Sequence, residues 1–223
     1  LFMRTMIVAP HPDDETLGVG GTILRKKSKG ETVSWLIITN MFAADGWSLE
    51  KIKSRKKEIE KVSKFYGFDN VFELNFPTTK LDNVPMLDLT TKISECLKKF
   101  KPHELYIPSF SDAHSDHRVV SEAVISSSKW FRSKGIKRIL SYETLSETSF
   151  GLSRISNFNP NVFIDISPFL KRKIKVMNIY KSELGLPPFP RSEENIKALA
   201  TIRGSESGYF AAEAFELLKE VID

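Results

Sequence analysis

Met6-Ile7-Val8-Ala9-Pro10-His11-Pro12-Asp13-Asp14-Glu15 sets a histidine and three carboxylates directly behind an apolar run. The run reads as a fully buried strand, because a strand covered on both faces shows no polar alternation. Acids crowded at the end of such a strand cost folding energy unless something cationic neutralises them. A metal ion can do so. A tight turn aims the His11 imidazole and the Asp14 carboxylate at one point, while Asp13 between them faces another direction. That donor pair suits zinc, and a catalytic zinc takes three protein ligands and keeps one position open. A third ligand is therefore expected from elsewhere in the chain.

Gly18, Gly20 and Gly21 allow tight packing ahead of a short helix expected from about Thr22 to near Gly30, and Val33 to Thr39 is a second buried strand. Ser48 reads as the N-cap of a helix through Tyr66, with Ile52, Ile59, Val62 and Tyr66 as its apolar stripe and Gly67 as its stop. A third strand is expected at Val71 to Asn75. Leu89, Ile93, Cys96, Leu97 and Phe100 mark another helix, and Glu104 to Pro108 a fourth strand. This alternation implies an α/β, three-layer, Rossmann-like fold, a mostly parallel sheet with helices on both faces. In the commonest order of such sheets the first and fourth strands are neighbours, and ligands bind beyond their carboxyl ends. Downstream, strands are expected at 139–144 and 162–166. Helices are expected from Ser167-Pro168 through Lys181 and from Ser192 to about Arg203, with Leu184 to Pro190 as a loop between them.

Ser111-Asp112-Ala113-His114-Ser115-Asp116-His117-Arg118 follows the fourth strand and leads into a helix with Val120, Val124 and Phe131. Three of the chain's four histidines thus lie beyond the two strands expected to meet. The missing ligand has a place to come from. His103 follows a proline, has no acidic cluster around it and reads as structural.

The 223 residues, 41% hydrophobic and 27% charged, fit one globular domain over 1–223. Thirty-three Lys and Arg against 28 Asp and Glu are dispersed over several segments, which favours solvated helix faces over a nucleic-acid footprint. The lone Cys96 excludes an internal disulfide and a Cys-based zinc site. No apolar run approaches the ~18 residues of a membrane helix, and Leu1 to Ala9 is too short for a signal peptide. The expectation is a cytoplasmic protein without a transmembrane segment. Gly18-Val19-Gly20-Gly21 has the wrong spacing for a dinucleotide fingerprint.

The His11-Pro-Asp-Asp-Glu15 and His114-Ser-Asp-His117 clusters resemble the paired motifs of the PIG-L or LmbE-like zinc-dependent de-N-acetylases. The likeness extends to Arg55 and Glu58, to Asn159-Pro160 ahead of Val162 to Ser167, and to Arg203-Gly204 ahead of Tyr209 and Glu213-Ala214-Phe215. The resemblance implies His11, Asp14 and His117 as zinc ligands, Asp13 as general base, His114 as the group that stabilises the oxyanion, and Asp116 as the residue that orients His114. It also implies a substrate contact for Arg55, which by pattern alone sits in a run of solvated charge.

Each role has a chemical reason. Zinc lowers the pKa of a bound water to ~7. Asp13 is free to take the proton of that water, and a protonated His114, its pKa raised by Asp116, would share the charge of the tetrahedral intermediate with zinc. Iron(II) accepts the same ligands. The expected activity is removal of an N-acetyl group from an N-acetylglucosamine-type sugar or conjugate, a small molecule, with no nucleic-acid partner. Two alternatives stand beside it: a metal-dependent phosphoesterase, and a non-catalytic nucleotide- or metal-binding α/β module. As a cap of acids at a helix N-terminus, Asp13, Asp14 and Glu15 would leave His11 and the second cluster unexplained. The loops at Phe42 to Trp47, Pro77 to Pro85 and Ser146 to Asn157 are candidates for specificity. Phe42, Trp47, Phe189 and Phe210 are candidates for contacts in a homo-oligomer.

Overall fold

In the computed structural model, which describes residues 3–151 and 158–222, the elements in chain order are β1 (Arg4–Ala9), α1 (Asp14–Ser28), β2 (Thr32–Asn40), α2 (Leu49–Tyr66), β3 (Asn70–Pro77), α3 (Met86–Phe100), β4 (Glu104–Pro108), α4 (Ser115–Ser127), β5 (Arg138–Tyr142), β6 (Val162–Asp165), α5 (Leu170–Met177), α6 (Glu193–Ser207) and β7 (Ala212–Glu220). The strands form one sheet in the order β3-β2-β1-β4-β5-β7-β6. β1 pairs in parallel with β2 and with β4, so the ends of the first and fourth strands lie side by side. β7 alone runs antiparallel, against β5 and β6.

Alternate residues of the central strands feed two cores. Ile7 and Ala9 of β1 join Trp35, Tyr106 and Tyr142 under α1, α2, α5 and α6. Met6 and Val8 join Leu36, Leu105 and Ile107 under α3 and α4. This is the three-layer α/β arrangement, and full burial on both faces is why the strand sequences lack polar alternation. The Ser48 hydroxyl accepts from the Lys51 N–H at 3.2 Å, and Gly67 ends α2 at φ 68°.

Four elements depart from expectation. Helix α1 starts at Asp14, eight residues before Thr22, because its glycines are inside it. A Cβ on Gly18 would stand 2.3 Å from Tyr142, and one on Gly21 2.5 Å from Ile166. The helix lies on the sheet at a distance only glycine permits. Helix α5 ends at Met177 rather than Lys181, and Phe131 lies beyond α4 and is exposed. The strand β7, Ala212–Glu220, was not expected. Of the loop 146–157, residues 152–157 lie outside the described residues. No helix among the described residues is long and apolar enough to cross a membrane.

Candidate active site

The turn after β1 is fixed before it reaches its functional residues. The Pro10 carbonyl accepts from the N–H and the hydroxyl of Thr39 on β2, at 3.0 and 2.8 Å. The Pro12 carbonyl accepts from Arg55 Nη1 at 2.6 Å. Between these anchors the chain passes through Asp13 at φ 140°, a region rarely occupied by a residue with a Cβ. Asp13 is the N-cap of α1, and its own N–H donates to Glu15 Oε2 at 3.0 Å.

Asp14 Oδ2 lies 3.4 Å from His11 Nδ1 and 3.3 Å from His117 Nε2. Metal bonds of ~2.0–2.1 Å at a tetrahedral centre put neighbouring ligand atoms roughly 3.3 Å apart, so these donors fit one metal ion. The far side of each imidazole is anchored as metal ligands commonly are. His11 Nε2 lies 3.0 Å from Asp116 Oδ2, and His117 Nδ1 2.7 Å from Asp112 Oδ2. Asp112 in turn accepts from the Thr148 hydroxyl at 2.6 Å, and Asp116 from the backbone N–H groups of Thr79 and Leu81 at 2.7 and 3.1 Å. His11, His114 and Asp116 form a second group whose donors lie within 4.8 Å of one another. The Asp116 oxygens there are already occupied by His11 and two backbone donors, which favours the first group.

These contacts set the charges of the site without metal. Burial lowers the pKa of His11, but the carboxylates of Asp116 and Asp14 outweigh it and raise it to about 9. His117 is likewise raised against burial, by Asp14 and Asp112. Burial would raise Asp14, yet the two imidazoles hold it well below the usual carboxylate range. Asp13 is pushed up by burial, by Asp14 and by Glu183, with Arg55 and Arg191 opposing.

The structure differs from expectation at Asp116 and His114. The Asp116 carboxylate pairs with His11 rather than His114, and the hydrogen bond from Asp116 to His114 comes from its backbone N–H, which donates to His114 Nδ1 at 3.0 Å. His114 is consequently the N-cap of α4, with Nδ1 an acceptor and Nε2 left to carry the proton. Its pKa is not raised. Burial, with the neighbouring His11 and His117, lowers it to about 4, so the ring is neutral. Arg55, expected to touch substrate, is on the wall of the site's cavity, 5% exposed, and there it holds Pro12, Glu183 and Glu58. It positions the turn that carries Asp13.

His11, Asp13, Asp14, His114 and His117 line one cavity of about 230 Å³, together with Trp47, Lys51, Thr78, Thr79, Glu147, Glu183 and Arg191. Trp47 therefore faces the site, whereas Phe210 is 91% exposed. Sequence reasoning assigned no role to Asp112, Glu183 or Arg191. Asp112 had a signal in its place five residues before His117. Glu183 and Arg191 lie in a loop far along the chain and had none.

Residues 6–128, more than half of the chain, match the family model described as PIG-L, GlcNAc-PI de-N-acetylase. The chain is 24% identical over 227 aligned positions to diacetylchitobiose deacetylase of Thermococcus kodakarensis, covering 96% of this chain and 83% of that protein. Its fold matches N,N'-diacetylchitobiose deacetylase from Pyrococcus horikoshii with a TM-score of 0.79 at 20% identity, over 97% of this chain and 84% of the other. The conserved protein TT1542 from Thermus thermophilus superposes with the same TM-score, 0.79, at 26% identity, over 100% of this chain and 97% of the other.

Proposed function

The chain belongs to the PIG-L family of deacetylases, and from that premise we propose that it is a zinc-dependent amidohydrolase that removes the N-acetyl group from an N-acetylglucosamine-type sugar or sugar conjugate, releasing acetate and a free amine. The observation that carries this reading is the position of Asp14 Oδ2 between His11 Nδ1 and His117 Nε2, with the Asp13 carboxyl in the same cavity. His11, Asp14 and His117 would hold the metal. When bound, zinc or iron(II) would act as a Lewis acid on the amide carbonyl and acidify water.

The remaining steps belong to the chain. Asp13 makes no hydrogen bond through its carboxyl among the described residues, so it is available to take a proton from the attacking water. Its raised pKa brings it nearer the working pH, where a base is most effective. The same carboxyl then returns the proton to the nitrogen as the C–N bond breaks. The neutral His114 donates from Nε2 to the carbonyl oxygen as it becomes an oxyanion, a preorganised donor that is fixed by the Asp116 N–H behind it. A cavity of about 230 Å³ is small for a ligand pocket, so it fits the acetamido end and one ring, with the rest of the substrate outside.

The test is amine release from a panel of N-acetylglucosamine derivatives by zinc-loaded protein, beside Asp13→Ala. Release by the parent and not by the variant is expected. Zinc bound near one per chain with no N-acetyl sugar cleaved would discard this substrate class and leave the metal site standing.

A further inference from the structure

Arg191 Nη1 stands 3.8 Å from Asp13 Oδ2, beyond hydrogen-bond reach, so the direction of the Asp13 carboxyl is set chiefly by the backbone beneath it. That backbone sits at φ 140° and ψ −28°. Such a conformation is unfavourable for a residue with a Cβ and persists only where its surroundings fix it. Here they act on one peptide unit, Pro12–Asp13. Its carbonyl accepts from Arg55 Nη1 at 2.6 Å, and its N–H donates to Glu15 Oε2 at 3.0 Å.

Tyr180, just beyond α5, touches both holders. Its hydroxyl donates to Glu15 Oε1 at 3.0 Å, and the Arg55 guanidinium carbon stands 5.6 Å from the centre of its ring. Tyr180 and Glu15 are both wholly buried, so water does not compete for their hydrogen bond. The Thr16 hydroxyl donates to the same Oε1 at 2.5 Å and accepts from the Tyr66 hydroxyl at 3.1 Å, which fixes Glu15 from a second side. The Tyr180 carbonyl accepts the N–H of Glu183 at 3.0 Å, and Glu183 pairs with Arg55. One short turn thus brings a hydroxyl to one holder, and a ring and a carboxylate to the other. Tyr180 itself is not on the cavity wall. A phenylalanine would fill the same space, so packing does not account for the hydroxyl.

We propose that Tyr180 is a positioning residue for Asp13: by holding Glu15 and Arg55 it keeps the Pro12–Asp13 peptide in the orientation that aims the Asp13 carboxyl into the cavity. This inference rests on the deacetylase reading, in which Asp13 is the base.

Tyr180→Phe tests this, because it keeps the ring against Arg55 and removes only the bond to Glu15. On an N-acetylated sugar that the zinc-loaded parent cleaves, kcat should fall about tenfold, the worth of one buried hydrogen bond. KM and zinc affinity should stay within about twofold, because the contacts to sugar and metal are untouched. Crystal structures of parent and variant should show Asp13 leaving its φ near 140°, or its atoms displaced more than those of β1. An unchanged kcat would overturn the proposal. So would a loss of kcat matched by a loss of zinc, since Tyr180 would then act on the fold or the metal, and so would a turn that is identical in position and displacement in the two crystals. If the parent cleaves no N-acetyl sugar, the deacetylase reading fails on its own. The two crystal structures then decide whether Tyr180 holds the turn, supporting it if Asp13 moves or loosens and refuting it if neither occurs.

Discussion

Asp112 and Asp116 stand one bond behind the proposed metal ligands, and their worth is measurable apart from catalysis. Asp112→Asn should lower zinc affinity about 10–100-fold in a chelator competition, because the amide no longer holds His117 in its ligating tautomer; unchanged affinity would remove Asp112 from the site. His117→Ala should lose the metal. His114→Ala should keep it and lose about 10²–10³ in turnover, the value of one oxyanion donor. Proton release follows from the same contacts. Without metal, His11 is protonated below about 9 and His117 is raised too, and both must shed a proton from the ligating nitrogen to bind zinc. Zinc affinity should therefore fall as pH falls, by up to about a hundredfold per unit near neutrality, and titrations in buffers of different ionisation enthalpy should count nearly two protons released. A pH-independent affinity would mean the imidazoles are already neutral. The motif residues were legible because each cluster packs its donors into a few positions. The neutrality of His114 was not, since sequence places Asp116 near it without showing that the carboxylate turns toward His11.

Helix α1 carries Asp13 and Asp14 at its first turn, so its seat on the sheet sets the reach of both. Gly18 meets Tyr142, whose hydroxyl donates to the Val8 carbonyl of β1 at 2.9 Å, so the ring is pinned. Gly18→Ala should then lift the helix and cost about 1–3 kcal/mol in urea unfolding, with zinc affinity falling in parallel; full stability would show that Tyr142 yields. Sequence located α2 to the residue, since a serine cap and a left-handed glycine bracket it. It missed β7, because Ala212–Glu220 is made largely of Ala, Glu, Leu and Lys, residues that favour helix in isolation. Pairing with β5 and β6 overrides that preference, and such pairing has no local signal.

Across the whole molecule, one buried ion pair joins the parts that the parallel sheet does not connect. Lys173 of α5 and Glu213 of β7, 4% and 5% exposed, meet at 2.7 Å. Glu213 accepts the N–H groups of Gly21 and Thr22 in the middle of α1, each at 2.8 Å, and Lys173 donates to the Leu17 carbonyl at 2.7 Å. The antiparallel strand, the late helix and the helix that positions Asp14 are thus tied at one point. Lys173→Met leaves a buried carboxylate without its cation and should cost about 3–5 kcal/mol. The double variant Lys173→Met with Glu213→Met should recover most of that loss. Gly21 and Thr22 lie inside a continuous helix and keep carbonyls four residues back as acceptors, so removing both charges orphans little. A urea double-mutant cycle reads the coupling directly. If the double variant were no more stable than Lys173→Met alone, the cost would lie in the lost packing of the lysine stem rather than in the uncompensated charge, and the tie would be apolar in origin.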